Sequence, residues 1–222
     1  MGKYAAAIFD LDGTMLDSMK VWERVDRAFF LRRGLPVPED YTETVASMSF
    51  EEAARYTVER FGLTDPPQAL VREWDGRVAE EYAHHIGLKP GVRECLRFLA
   101  ARGLKFGVAT ALPERLYSPA LQSNGVYGDF AAFASVTETA RGKGFPDVYL
   151  LCARRLGVLP GGCLVFEDVL PGLRGAKAAG MDAVGVYDDS TRLREKEALS
   201  VADGYLRSFL EMKDSDFCKK FL

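Results

Sequence analysis

The feature that most constrains the fold is an apolar run that ends at two closely spaced aspartates. Residues 5–9 are all apolar, Asp10 and Asp12 follow with one residue between them, and Gly13 comes next. This run predicts a buried strand, and the glycine predicts a tight turn directly after it. Two carboxylates at the end of a buried strand repel each other unless a cation lies between them, so the stretch indicates a metal site.

Composition and charge favour a globular protein that acts on a small molecule. The chain has 222 residues, of which 48% are hydrophobic, enough for a full core and an inserted subdomain. Its formal net charge is −3 at pH 7, which provides no basic excess for the phosphates of nucleic acids or membranes. We therefore expect a small metabolite as partner, with no nucleic acid and no membrane.

The cysteines and the N-terminus favour a cytoplasmic location. The N-terminal apolar run is short and is interrupted by Asp10, unlike a signal peptide or a membrane span. The cysteines are spread through apolar segments without a C-x-x-C pair, which is typical of reduced, buried thiols. They are Cys95, Cys152, Cys163 and Cys218.

Residues 15–87 show no strong strand pattern and predict a helical insert. Apolar residues recur at helical spacing in three segments, and proline-containing breaks at residues 34–38 and 65–67 separate them. Trp22 and Trp74 lie on two of the apolar faces, and we interpret both as core residues of this insert.

From residue 88 onwards, predicted helices and strands alternate. Apolar strand runs are predicted at residues 104–109, 131–136, 163–166 and 182–187, with a proline near the start of each intervening helix. This alternation predicts an α/β fold with a parallel sheet covered by helices on both faces.

Polar side chains follow three of the predicted strands. Thr110 follows one strand, and Glu167 with Asp168 follows another. Because ligands of open parallel sheets bind beyond the carboxyl ends of the strands, we expect these residues to meet Asp10 at one edge. Mg²⁺ prefers carboxylate oxygens and water, so it is the predicted cofactor.

Signatures of several other chemistries are missing from the sequence. It contains no G-x-x-x-x-G-K-[ST], no G-x-S-x-G and no H-E-x-x-H motif. His84 and His85 are adjacent on a predicted helix, so their side chains point in different directions and a shared metal is not expected. A contact with substrate is the alternative role for this pair.

Four short motifs resemble, in their order along the chain, those of the haloacid dehalogenase superfamily. They are residues 10–14, Thr110, Lys143 with residues 146–147, and residues 167–168 with Gly172. The resemblance spans nearly the whole chain. It implies a Rossmann-like core of residues 1–14 and 89–222, and an α-helical cap of residues 15–88 like that of β-phosphoglucomutase and phosphoglycolate phosphatase.

The resemblance also implies roles for the motif residues. Asp10 would be the nucleophile that forms an aspartyl-phosphate, and Asp12 would be the general acid and base. Mg²⁺ would bind Asp10, the backbone carbonyl of Asp12, and Asp168. Thr110 and Lys143 would bind the phosphoryl group. Glu167 would be a second acidic residue of the metal site or would orient a ligand.

Three functions fit the resemblance to different degrees. Asp12 argues against dehalogenation, because a halide needs no proton on leaving, and favours a phosphatase for a small phosphate monoester such as a sugar phosphate. A phosphomutase is the alternative, although its relatives carry a histidine and an arginine where this chain has Trp22 and residues 49–51. A non-catalytic regulatory protein is a third interpretation, which the complete set of motif residues disfavours.

The predicted cap would choose the substrate. Trp22, Ser49 and Phe50 are the candidate substrate-binding residues there, and Thr14 is either a turn hydroxyl that caps the next helix or a catalytic group. The cap would move on hinges near residues 15–16 and 87–89. We expect a monomer or a weak homodimer.

Overall fold

The computed structural model describes residues 3–45, 48, 50–191, 193–213 and 221. The chain forms two compact units. The first comprises residues 1–18 and 86–222, and the second comprises residues 19–85. The division into a core and a cap at residues 14–15 and 88–89 stays a prediction. None of the described helices combines the length and the apolar composition that crossing a membrane requires.

The first unit contains a six-stranded parallel sheet in the order β3-β2-β1-β4-β5-β6. This confirms the predicted α/β class. The strands are β1 Ala6–Phe9, β2 Lys105–Thr110, β3 Ala132–Ser135, β4 Cys163–Glu167, β5 Asp182–Val186 and β6 Gly204–Leu206. The sequence did not predict β6, which is only three residues long.

Helices connect these strands. They are α5 Val92–Ala100, α6 Glu114–Ser123, α7 Asp147–Leu156, α8 Leu170–Ala178 and the short α9 Glu195–Ala198. Strand β1 lies between β2 and β4 and is buried along its whole length. The ring of Phe9 at its end stacks on Phe166 of β4, with 4.8 Å between the ring centroids. This packing leaves the backbone at the end of β1 little freedom to move.

The second unit is helical, as the sequence predicts. Its helices are α1 Val21–Arg32, α2 Tyr41–Val45, α3 Phe50–Phe61 and α4 Pro67–His84. Phe29, Phe30 and Trp74 form its aromatic core through edge-to-face contacts. The prediction that Trp22 also belongs to this core is wrong, because 39% of its surface is exposed. Trp22 lies in the first turn of α1, where the apolar face of the helix begins.

The predicted hinge segments pair with each other. The backbone amide of Lys89 donates to the carbonyl of Met15 over 2.8 Å, and that of Asp17 donates to Gly87 over 3.0 Å. The ammonium group of Lys89 also donates to the carbonyl of Gly13 over 2.7 Å and lies 3.1 Å from Asp188. Lys89 thus ties the loop after β1 to the loop after β5, and movement at these segments stays a prediction.

Gly107 allows β2 to pack closely against α7. A Cβ at this position would come within 2.5 Å of Sγ of Cys152 and 2.9 Å of Cδ1 of Leu156. We expect Gly107→Ala to lower the free energy of unfolding by about 1–3 kcal/mol through overpacking. Urea denaturation measures this loss.

Gly128→Ala is the matched control, because nothing lies within 4 Å of the added Cβ. We expect its free energy of unfolding to stay within about 0.5 kcal/mol of the wild-type value. Equal stability of the Gly107 and Gly128 variants would contradict the close packing of β2 on α7.

Candidate active site

Three adjacent strands deliver the predicted site residues to one edge of the sheet. Asp10 follows β1, Thr110 ends β2, and Glu167 ends β4 with Asp168 next to it. Strands β2 and β3 lie on one side of β1, and the chain then crosses to β4 on the other side, so Asp10 lies at the switch in strand order. Open α/β sheets bind their ligands in the crevice at this point.

The turn after β1 brings Thr14 back onto the carboxylates. Gly13 has a φ of 74°, a left-handed conformation that glycine adopts without strain. Oγ1 of the buried Thr14 lies 3.3 Å from Oδ2 of Asp10 and 3.0 Å from Oδ1 of Asp168. Helix α1 begins only at Val21, so the alternative that Thr14 caps this helix is wrong.

Lys143 bridges two of the carboxylates. Its ammonium group forms an ion pair with Oδ1 of Asp10 and lies 2.7 Å from Oε2 of Glu167. Only 13% of the lysine side chain is exposed. Burial alone would lower the pKa of Lys143, but the charges of Asp10 and Glu167 raise it above its ordinary value. Lys143 therefore keeps its positive charge.

The described residues include one acidic cluster with the geometry of a metal site. Carboxylate oxygens of Asp10, Glu167 and Asp168 lie within 4.8 Å of one another, and all three residues are buried. Oε1 of Glu167 and Oδ2 of Asp168 are buried without a hydrogen-bond partner among the described residues. Buried carboxylate oxygens normally have a partner, so these two indicate where a cation would bind.

The charges of the cluster support a divalent ion. The single positive charge of Lys143 faces three carboxyl groups, so ionisation of all three would leave two negative charges uncompensated. Burial, and then the charge of Asp10, raises the pKa values of Glu167 and Asp168 above the usual carboxyl range. A divalent cation with oxygen ligands would balance this charge.

Two glycines of α8 make room for the cluster. A Cβ on Gly172 would clash with the side chain of Glu167. A Cβ on Gly175 would clash with the carbonyl of Lys143 and would come within 2.8 Å of the carbonyl of Phe145. Any larger residue at either position would displace Glu167 or the segment that carries Lys143.

Asp12 and Thr110 have defined partners beside the cluster. The hydroxyl of the buried Ser18 donates to Oδ1 of Asp12 over 2.6 Å. Oγ1 of Thr110 accepts a hydrogen bond from the amide of Leu112 over 3.1 Å, which fixes the position of the hydroxyl. The side chain of Asp12 is not part of the acidic cluster. That the backbone carbonyl of Asp12 binds the metal stays a prediction.

The predicted substrate-binding residues of the helical insert are not tested by this geometry. Trp22 is partly exposed in α1, and Phe50 is the first residue of α3. Ser49 lies outside the described residues. His84 and His85 end α4, with 6.3 Å between their ring centroids. A role of any of these residues in substrate binding stays a prediction.

Sequence reasoning missed two side chains that contact the site residues. One is Ser18, and the other is Tyr149 of α7, whose hydroxyl donates to Oε2 of Glu167 over 3.0 Å. Tyr149 follows the proline and aspartate at residues 146–147 at apolar helical spacing, so the sequence alone did not distinguish it from a core residue. Burial raises the pKa of Tyr149 well above its ordinary value, so its hydroxyl stays a donor.

Comparisons with known proteins agree with this geometry. The family model of the haloacid dehalogenase-like hydrolases matches residues 4–180. The fructose-1-phosphate phosphatase of Escherichia coli is 31% identical over 186 residues, which cover 83% of this chain and 97% of that protein. The phosphorylated carbohydrates phosphatase of Thermotoga maritima is 28% identical over 179 residues, 81% of this chain and 83% of the relative.

A solved structure extends the similarity over most of the fold. The crystal structure of CbbY from Rhodobacter sphaeroides in complex with phosphate has a TM-score of 0.73 and 26% sequence identity. The match covers 96% of this chain and 97% of that chain. The family match includes Asp10, Thr110, Lys143, Glu167 and Asp168. On the strength of that match, this chain belongs to the haloacid dehalogenase-like hydrolases.

Proposed function

We propose that this protein is a Mg²⁺-dependent phosphatase that hydrolyses a small phosphate monoester through an aspartyl-phosphate intermediate. The observation that carries the proposal is the contact of Asp10 with Lys143, beside oxygens of Glu167 and Asp168 that have no hydrogen-bond partner among the described residues. It combines a fixed carboxylate nucleophile with positive charge at the place where a phosphoryl group would bind.

In the first step, a carboxylate oxygen of Asp10 attacks phosphorus. The new bond joins Asp10 to phosphorus, and the bond between phosphorus and the ester oxygen breaks. Asp12 donates a proton to the departing oxygen, which leaves as an alcohol. Lys143 and the hydroxyl of Thr110 hold the phosphoryl oxygens, where negative charge is concentrated.

In the second step, water replaces Asp10 on phosphorus. Asp12, now a carboxylate, takes a proton from the attacking water, and the bond between Asp10 and phosphorus breaks. Inorganic phosphate leaves and the Asp10 carboxylate is restored. The hydrogen bond from Ser18 keeps Asp12 in one orientation for both proton transfers.

Asp10, Glu167 and Asp168, with the backbone carbonyl of Asp12, would hold the cation. When bound, Mg²⁺ would neutralise charge between the nucleophile and the anionic phosphate. The fit rests on the two oxygens that lack a hydrogen-bond partner within the described part of the chain, and on the excess negative charge of the ionised cluster. Lys143 supplies the rest of the charge balance from the opposite side of Asp10 and Glu167.

The names of the relatives support a phosphorylated carbohydrate as the substrate. Two of them are phosphatases named for fructose 1-phosphate and for phosphorylated carbohydrates. We infer that this enzyme also acts on a phosphorylated carbohydrate and that the helical unit, including Trp22, selects it. A phosphate-release panel of sugar phosphates, phosphoglycolate, nucleotides and p-nitrophenyl phosphate tests the proposal, and isomerisation of β-glucose 1-phosphate without phosphate release would contradict it.

Asp10→Asn removes the proposed nucleophile but preserves the size of the side chain. We expect Mg²⁺-dependent phosphate release from p-nitrophenyl phosphate to fall by about 10³-fold or more, since loss of a nucleophile is among the largest single effects in catalysis. A colorimetric phosphate assay measures the rate. Asp182→Asn at the start of β5 is the control, and wild-type turnover by Asp10→Asn would contradict the assignment.

Asp12→Ala should be most damaging when the leaving group needs a proton. We expect the first turnover to slow by about 10²–10⁴-fold for a sugar phosphate, and by much less for p-nitrophenyl phosphate. Rapid-quench measurement of the first turnover isolates this step from hydrolysis of the intermediate, which also requires Asp12. Equal losses on both substrates would rule out Asp12 as the general acid.

Asp168→Asn should weaken Mg²⁺ binding and stabilise the metal-free protein. It removes one of three buried carboxylates and keeps an acceptor for Thr14, so we expect a higher Tm in the presence of a chelator. Mg²⁺ at about 100 times its Kd should stabilise the wild type by about 2.7 kcal/mol and should leave the variant unchanged. Calorimetry with chelator and with Mg²⁺ measures both effects.

Asp182→Asn is the control with the opposite sign. Burial alone would raise the pKa of Asp182, but hydrogen bonds from Lys3, Tyr4 and Lys177 lower it to about 2. Its stabilising effect is present above the unfolded pKa of about 3.9 and is lost as the pH falls through about 2. Asp182→Asn should therefore lower Tm near neutral pH. A lower metal-free Tm for Asp168→Asn would contradict the proposed repulsion.

A further inference from the structure

Tyr149 carries a buried hydroxyl that has no role in the proposed reaction. It lies in the first turn of α7 and has no exposed surface. Its ring packs against α8, where a Cβ on Gly175 would come within 2.8 Å of Cε2 of the tyrosine. A phenylalanine would fill the same space without a polar atom that needs a buried partner. Packing alone therefore does not account for a tyrosine here.

The hydroxyl of Tyr149 and the ammonium of Lys143 contact the same oxygen of Glu167. The distances to Oε2 are 3.0 Å from Oη of Tyr149 and 2.7 Å from Nζ of Lys143. Oε1 of the same carboxylate is buried and has no hydrogen-bond partner among the residues that the structure describes. The two donors therefore distinguish the two oxygens of one carboxylate.

The surroundings of Glu167 restrict its rotation. Gly172 of α8 lies so close that a Cβ there would clash with the carboxyl group. Lys143 contacts Oε2 of Glu167 and also forms an ion pair with Asp10. A rotation of Glu167 would therefore also disturb the ion pair of the proposed nucleophile. Tyr149 is the neutral donor that holds Oε2 independently of this shared lysine.

We infer that Tyr149 is a positioning residue, whose hydroxyl holds Oε2 of Glu167 so that Oε1 faces the cation site and Lys143 stays between Glu167 and Asp10. The inference rests on the proposed metal-dependent function. It assigns to α7 a part in metal binding through Glu167, without contact between Tyr149 and the reacting atoms. Residues that orient metal ligands typically contribute about 10–100-fold to metal affinity.

The test compares two tyrosine hydroxyls that each donate to a carboxylate. Tyr149→Phe removes the donor beside Glu167 and keeps the ring. Tyr4→Phe is the matched control, because the largely buried Tyr4 donates to Oδ2 of Asp182 over 2.6 Å at the other end of the sheet. Isothermal titration calorimetry with Mg²⁺ alone gives the Kd of each protein, and calorimetry with chelator gives its metal-free Tm.

We expect the Mg²⁺ Kd to rise about tenfold or more in Tyr149→Phe and to change less than about twofold in Tyr4→Phe. A purely structural role would lower the metal-free Tm and leave the Kd unchanged. In a Glu167→Gln background, Tyr149→Phe should cause no further loss of affinity, because the hydroxyl no longer orients a carboxylate. Independent losses from the two substitutions would overturn the route through Glu167.

The outcomes separate this inference from the function on which it rests. A wild type that binds Mg²⁺ and releases phosphate, with an unchanged Kd in Tyr149→Phe, overturns the role of Tyr149 alone. A wild type that neither binds Mg²⁺ nor releases phosphate overturns the proposed function, and the role of Tyr149 falls with it. A selective rise in the Kd of Tyr149→Phe supports both.

Discussion

The ion pairs of Lys143 with Asp10 and Glu167 are the interaction on which the rest of the site depends. Among the described residues, Lys143 is the one cationic side chain that contacts the acidic cluster. Without it, three buried carboxylates would share one small space, and their repulsion would oppose folding. Its segment must lie directly on α8, and this close approach explains why α8 carries Gly175 beneath it.

The position of the cluster follows from the order of the strands. Strand β1 is buried on both faces and paired on both sides, so its end is held more firmly than an edge strand would be. Thr110 ends β2 and Asp168 directly follows β4, and these two strands flank β1. A site of buried like charges is a source of instability, and rigid elements are required to keep such groups together. The repulsion between these buried carboxylates opposes folding of the metal-free protein. The same excess of negative charge would attract a cation.

Sequence reasoning located the acidic residues because two simple rules apply to them. An apolar run shows where a strand ends, and parallel topology brings strand ends such as Asp10 and Glu167 to one edge. The contacts of Tyr149 were not predictable, because a tyrosine on the apolar face of α7 has the same spacing as its neighbours Val148 and Cys152 in the core. Its hydroxyl donates to Glu167, which lies 18 positions away in the sequence.

Other parts of the fold were missed for different physical reasons. Strand β6 has three residues and begins with a glycine, which is too little for a period-two pattern. Trp22 matches the helical period of α1, but it lies in the first turn of the helix and 39% of its surface is exposed. Periodicity predicts which direction a side chain takes, whereas burial depends on what lies opposite it.

The described contacts of the three carboxylates are confined to one unit of the chain. Every described side chain that contacts the three carboxylates through a hydrogen bond or ion pair belongs to the first unit, namely Thr14, Lys143 and Tyr149. We therefore expect substitutions in residues 19–85 to leave these contacts in place. Two relatives are phosphatases named for fructose 1-phosphate and for phosphorylated carbohydrates. The sharing of Lys143 between Asp10 and Glu167 is a contact within the first unit, and it leaves an excess of negative charge in the cluster that a cation would balance.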